Sequence, residues 1–241
     1  MNTRRICLWS GPRNVSTALM YAFAQRSDTR VIDEPFYAHY LRVSGAEHPG
    51  RSEVLAGMDT DGRRIVRNVI LGPCDRPVLF MKQMAHHLID LDRSFLHKTV
   101  NVLLIRDPAE MLPSLAKNIP RPTLRDTGLK VQVDLLDELH ALGQDPPVLD
   151  AKRLLLDPRG VLSALCQQLS IPFDGAMLSW PAGPRPEDGP WAKHWYQNLH
   201  LSTGFAPYQP KTDPFPDHLR PLLAECQPLY ETLATRAIGS G

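Results

Sequence analysis

The stretch LWSGPRNVST, residues 8 to 17, ends an apolar run and turns through Gly11 and Pro12. It exposes Arg13, then offers Asn14, Ser16 and Thr17 as side-chain donors around Val15. A strand that turns through glycine into a helix start presents backbone N–H groups with partial positive charge, which suits a phosphate. The loop lacks the second glycine and the lysine of G-x-x-x-x-G-K-[ST], and the sequence offers no evident acidic partner for magnesium. Metal-dependent ATP chemistry is therefore disfavoured. A second anion anchor lies in LLIRDPAEMLPSL, where Arg106 closes an apolar run and Ser114 follows eight residues later. The planar guanidinium fork suits a two-pronged grip on phosphate.

These residues need elements that bring strand ends together. RRICLWS, TRVIDEPFY, PVLFMKQM and TVNVLLIRDP read as short strands, with PPVLDA as a further one. STALMYAFAQR has apolar residues at helical spacing, and its hydroxyl pair is expected to cap its start. AHHLIDLDRSFL and VQVDLLDELHAL also read as helices. Asp107-Pro108 and Asp157-Pro158 each supply a cap followed by proline at the first helical position. Pro113 deletes a hydrogen bond inside the helix bearing Ser114, so a kink is expected there. Strands alternating with helices predict an α/β fold with three layers, a parallel sheet flanked by helices. Ligands then sit beyond the carboxyl ends of the strands. The proline-rich stretch after residue 180 reads as irregular structure laid over that core, so residues 1–241 are expected to form a single domain.

Pro12-Arg13-Asn14-Val15-Ser16-Thr17 resembles the P-[KR]-S-G-[ST]-[ST] loop of the sulfotransferase superfamily. Arg106-Asp107-Pro108 with Ser114 resembles its R-[DN]-P junction, and the two lie about 90 residues apart, as in that family. The match departs at Val15, where the family has Gly, and at Asn14, where it has Ser. DAKRLLLDPRGVLSALCQQLSIPFDGAML and EDGPWAKHWYQNLHLSTGF look like the later helical part and the C-terminal flap of bacterial members, the flap falling at about 181–210. The resemblance implies a P-loop NTPase-like fold. It implies sulfuryl transfer from 3'-phosphoadenosine 5'-phosphosulfate to a hydroxyl or amine of a small-molecule acceptor. It assigns Gly11 to Thr17 to the 5'-phosphosulfate, and Arg106 and Ser114 to the 3'-phosphate. Such transfer is mostly positioning and charge stabilisation. Sulfate esters carry less charge than phosphates, so no metal is expected, and Arg13 and Lys82 of FMKQM are the candidates for steadying the transferred group.

Relatives often place a histidine base two residues after that lysine, but here Met84 stands there. Glu34, in IDEPFY at the end of a strand, ranks first as general base. His87 ranks second and His86 third. Adjacent residues on a helix face different ways, so at most one of the two histidines is expected to reach the site. Trp191 and Lys193, with Trp195, Tyr196 and His194, are expected either to close over the nucleotide or to form a buried aromatic patch anchoring the tail.

Composition narrows the remaining classes. The net charge of +1 gives no bulk field for nucleic acid or an anionic membrane. No stretch approaches the roughly 20 apolar residues of a membrane span. Cys7, Cys74, Cys166 and Cys226 are scattered without C-x-x-C spacing, which argues against a zinc site or disulfide framework and fits a cytoplasmic setting. A homodimer is compatible with these features. Two competing readings stay open: a nucleotide-dependent phosphotransferase or kinase with an unusual loop, and a non-catalytic module that binds adenosine bisphosphate.

Overall fold

The computed structural model describes residues 3–239. Among them, β1 (Arg4–Ser10), β2 (Thr29–Asp33), β3 (Val78–Met84), β4 (Val100–Ile105) and β5 (Val148–Asp150) form one sheet in the order β2-β3-β1-β4-β5. Every pairing is parallel. Parallel neighbours need crossover connections, and those crossovers cover both faces. In β1, Ile6 and Leu8 join a core with Leu19 and Phe23 of the helix Ser16–Ala24 and Leu162 of the helix Pro158–Gln168. Cys7 and Trp9 join the opposite core with Leu112, Leu135 and Leu222, from the helices Pro108–Leu115, Leu129–Ala141 and Arg220–Ala234. The three-layer α/β architecture expected from the sequence is the one found.

Strand order fixes where a ligand goes. The chain leaves β1 for the β2 edge but leaves β4 for β5 at the other edge. A crevice therefore opens beyond the carboxyl ends of β1 and β4. Register brings the candidate residues to that end. Ser10 pairs with both Met84 and Leu104, so the loop at Gly11 and Arg106 start side by side. Asp33 pairs with Lys82, which sets Glu34 just past that lysine. The helix Ser16–Ala24 has nine residues, too few to hold its shape alone. Buried Leu19, Met20 and Phe23 fix it, and with it the loop it follows.

Several local expectations need correction. Ser16 and Thr17 do not cap their helix; Val15 holds the cap position, and no side chain caps it. AHHLIDLDRSFL is not one helix. It forms two short 3-10 turns, Ala85–His87 and Arg93–Lys98, interrupted by Asp90 at φ 47° and restarted by Asp92, whose carboxylate accepts from Ser94 N at 2.9 Å. The tail is not irregular throughout, because Arg220–Ala234 is a 15-residue helix. Its two prolines mislead: Pro221 falls in the first turn, where no N–H is needed. Pro228 is carried by the burial of Leu222, Cys226 and Leu233 around it. Asp107 and Asp157 cap their helices as expected, accepting from Ala109 N at 2.8 Å and Gly160 N at 2.9 Å. The helix bearing Pro113 runs on through it to Leu115.

Candidate active site

A cavity of about 380 Å³ opens at the carboxyl ends of the strands. One end is basic, lined by Arg13 and Arg106. Arg13 sits at φ 52°, a backbone shape unusual outside glycine, and its Nε donates to Ser114 Oγ at 2.9 Å. Arg106 in turn donates from Nη1 to the Arg13 carbonyl at 2.8 Å. Asn14 braces the turn: its Nδ2 donates to Leu104 O at 3.0 Å, and its Oδ1 accepts from Val15 N at 2.9 Å. The loop after β1 is thus stitched to β4 and to the helix Pro108–Leu115. Burial lowers the pKa of the Arg13 guanidinium, and the neighbouring charge of Arg106 lowers it further. Two like charges held together at an uncapped helix N-terminus favour an anion between them.

Glu110 tempers that end. Its Oε2 accepts from Arg106 Nη2 at 3.3 Å, while its Oε1 accepts from Tyr208 OH at 2.5 Å. Lys211 joins the cluster; its pKa is lowered by burial first and then by Arg106 and Lys117.

The other end holds a buried cluster of ionisable side chains. Glu34 sits at φ 38° immediately before Pro35, and its N–H donates to Lys82 O at 2.8 Å. Strained backbone at a buried ionisable residue marks functional positions. Lys82 is buried and spends all three N–H bonds: on Asp33 Oδ1 at 2.9 Å, Glu34 Oε1 at 2.5 Å and Tyr196 OH at 2.6 Å. The Tyr196 hydroxyl also donates to Asp33 Oδ2 at 2.8 Å and accepts from Trp191 Nε1 at 2.9 Å. Burial alone would lower the lysine pKa, but Asp33 and Glu34 together outweigh it and raise it. The Glu34 carboxyl is pushed up to about 7: burial dominates, Lys82 opposes it, and Asp33 adds to it.

The sequence-derived candidates separate on this geometry. Arg13, Asn14, Val15, Ser16, Thr17, Pro12, Arg106 and Ser114 line the cavity, as do Glu34, Lys82 and Trp191. His86 and His87 both line it, contrary to the expectation of at most one. They belong to a 3-10 turn, not an α-helix, and their rings stand at 84° to each other. Two candidates are elsewhere. Lys193 is exposed and paired with Glu53 at 2.7 Å, outside the cavity lining. Gly11 lies beneath the loop, where an added Cβ would come within 2.6 Å of Thr127 O, so its glycine serves close packing. The reading missed Tyr37, Tyr40 and His48, which line the cavity, and also Glu110 and Tyr208. The i, i+3 spacing of Tyr37 and Tyr40 after the EPF turn was the available signal. Nothing local in the sequence ties Tyr208 to Glu110. No cluster of three or more metal-ligating side chains occurs among the described residues. None of the described helices is long and apolar enough to cross a membrane.

A parallel sheet flanked by helices, with a basic turn after its first strand and a buried Lys82–Glu34 pair beyond its strand ends, is an α/β fold of the P-loop-like class. Residues 4–237 match the family model described as a sulfotransferase domain, and the chain belongs to that family. It is similar to branched-chain-amino-acid aminotransferase-like proteins 2 and 1 of Arabidopsis thaliana. The first is 41% identical over 226 residues and the second 42% over 228. These alignments cover 93% of this chain but only 40% of each relative, so the chain spans less than half the length of the relatives it matches. Among solved structures it resembles a sulfotransferase from Alicyclobacillus acidocaldarius, with TM-score 0.55 and 13% identity over 100% of this chain and 99% of that one. It also resembles the sulfotransferase domain from the curacin biosynthetic pathway, with TM-score 0.52 and 15% identity over 92% and 97%. At such identities the likeness is one of fold.

Proposed function

We propose that the protein transfers a sulfuryl group from 3'-phosphoadenosine 5'-phosphosulfate to a hydroxyl or amine of a small-molecule acceptor, without a metal. The observation that carries this reading is the polarity of the cavity beyond the strand ends. Paired guanidinium groups and an uncapped helix start stand at one end, and a carboxyl with a pKa near neutrality at the other. The donor residues fit the group: Arg13 and the free N–H groups of Ser16 and Thr17 suit the 5' end, and Arg106 with Ser114 suits the 3'-phosphate.

When bound, the donor supplies an activated sulfuryl group. The chain's part is to bind, orient and move one proton. Glu34 takes the proton of the acceptor hydroxyl as the new O–S bond forms. Arg13 and the helix start stabilise the charge left on the departing phosphate. Lys82 holds the Glu34 carboxylate toward the cavity. A base with a pKa of about 7 is half available at neutral pH, which is where general-base catalysis is most effective.

The test is a thermal shift with adenosine 3',5'-bisphosphate, followed by transfer of 35S-labelled sulfuryl from the donor in EDTA. Stabilisation and metal-independent transfer are expected. No stabilisation by the bisphosphate rejects the donor assignment. Transfer of phosphate from ATP, dependent on magnesium, would establish the phosphotransferase reading instead.

A further inference from the structure

Most polar groups on the acceptor side of the cavity already have partners. Lys82 spends its three N–H bonds on Asp33, Glu34 and Tyr196. The Asp126 carboxylate accepts from the backbone and hydroxyl of Thr123 at 2.7 and 2.8 Å. His48 Nδ1 is bonded to Tyr37 OH at 2.9 Å. Those Asp126 contacts are with neutral groups of Thr123, so its negative charge also faces this wall.

Three atoms differ. Nδ1 of His86 and both ring nitrogens of His87 are buried with no hydrogen-bond partner among the described residues. Both side chains line the cavity, and both are more than nine-tenths buried, so bulk water does not satisfy them. Nor do the rings turn freely to find partners elsewhere. His87 is stacked against Tyr37 at 5.1 Å and Tyr40 at 4.6 Å, with His86 edge-on at 4.7 Å. Burial disfavours the charged form of both rings, and neighbouring cations add to this, so each presents one N–H and one lone pair. A hydroxyl both donates and accepts, and is the natural complement of such a ring.

We infer that the His86–His87 wall is an acceptor subsite for a compound bearing at least two hydroxyls, one turned to Glu34 and another bonded to the histidines. This rests on the sulfotransferase reading and narrows its acceptor. The histidines are binding groups here and do not take the proton.

The experiment compares four probes with labelled donor: cyclohexane-1,2-diol and catechol as diols, and choline and 3-hydroxybutyrate as compounds with a single hydroxyl. A diol should be the best acceptor. His87→Phe keeps the stack between the two tyrosines, and His87→Gln guards against misfolding of the first variant. Each should bind adenosine 3',5'-bisphosphate as the wild type does while KM for the diol rises about tenfold, the loss of one hydrogen bond to a buried partner. A merely structural histidine would leave that KM unchanged, and this result would overturn the inference. So would transfer to choline or 3-hydroxybutyrate in preference to both diols, or no diol binding by saturation-transfer NMR while the bisphosphate still binds. If the bisphosphate itself fails to bind, the sulfotransferase reading fails first.

Discussion

Replacing Glu34 with glutamine should separate stability from chemistry. The carboxyl is held at about 7 instead of its ordinary 4.5, because its burial outweighs the attraction of Lys82. A folded-state value above the unfolded one means that the folded protein binds this proton more tightly. The stability contributed by the neutral carboxyl is thus fully present below pH 4.5 and is lost as pH rises through about 7. The separation corresponds to about 3 kcal/mol. Glutamine stays neutral at every pH, so Glu34→Gln should equal the wild type near pH 4 and exceed it at pH 8. The full figure is an upper bound, because Lys82 keeps only Asp33 as a charged partner. For a chain of this size about 3 kcal/mol is worth roughly 6–12 °C in melting temperature. Turnover should move the other way, falling by about 10²–10⁴ on loss of a general base. Wild-type turnover should itself climb with pH through about 7 as the carboxylate forms, then level off. The assay is thermal melting of both proteins at pH 4 and 8, with label transfer at pH 8. A variant that melts below the wild type at pH 8 refutes the dominance of burial. Undiminished turnover refutes the base assignment.

Three further outcomes are expected. Arg106→Ala should weaken adenosine 3',5'-bisphosphate binding by calorimetry at least about tenfold, the worth of a charge-assisted contact, while adenosine 5'-phosphate is unaffected; equal affinity for the bisphosphate would remove Arg106 from the 3' site. Glu110→Gln should tighten bisphosphate binding by a few fold, because it frees the Arg106 face now shared with the carboxylate at 3.3 Å; weaker binding would mean that Glu110 serves to orient the guanidinium. Lys193→Ala should leave ligand affinity and turnover unchanged and cost less than about 1 kcal/mol, as exposed pairs do; a marked loss of affinity would return Lys193 to the site.

The layers, the strands and the positions of Arg13 and Arg106 beyond the strand ends were legible because each rests on local signals. Apolar runs ending at Ser10 and Ile105 lead into a turn and a capped helix within a few residues. The pairing of Glu34 with Lys82 was only half legible. Their place at strand ends is written in IDEPFY and FMKQM, but their contact depends on the register that sets Asp33 against Lys82, 49 residues apart. The C-terminal helix was hidden by Pro221 and Pro228, which read as breakers until burial of Leu222, Cys226 and Leu233 offsets them. His86 and His87 were misassigned to separate faces because helical periodicity ran past Asp90, whose positive φ ends the turn.

The pairing of two adjacent carboxylates with one lysine explains why Glu34, not Asp33, is the candidate base. Asp33 is held on both oxygens: Lys82 on one, Tyr196 on the other, with Gly189 N at 3.4 Å also on the second. Glu34 has one bond, from Lys82 to Oε1, and no other side-chain hydrogen bond among the described residues. A carboxylate enclosed by donors has no lone pair turned to a substrate. A carboxylate held on one oxygen keeps the other for an incoming hydroxyl. The same lysine therefore helps enclose Asp33 and holds Glu34 by one oxygen, and this difference in environment is what favours Glu34 as the proposed base. The residues that complete this arrangement, Trp191 and Tyr196, come from the segment laid over the strand ends. Lifting that segment would strip Lys82 of one partner, Tyr196, and Asp33 of two, Tyr196 and Gly189. Seating of the segment and readiness of the base are thus one event in this structure, and a substitution that loosens it, such as Tyr196→Phe, should impair turnover more than donor binding.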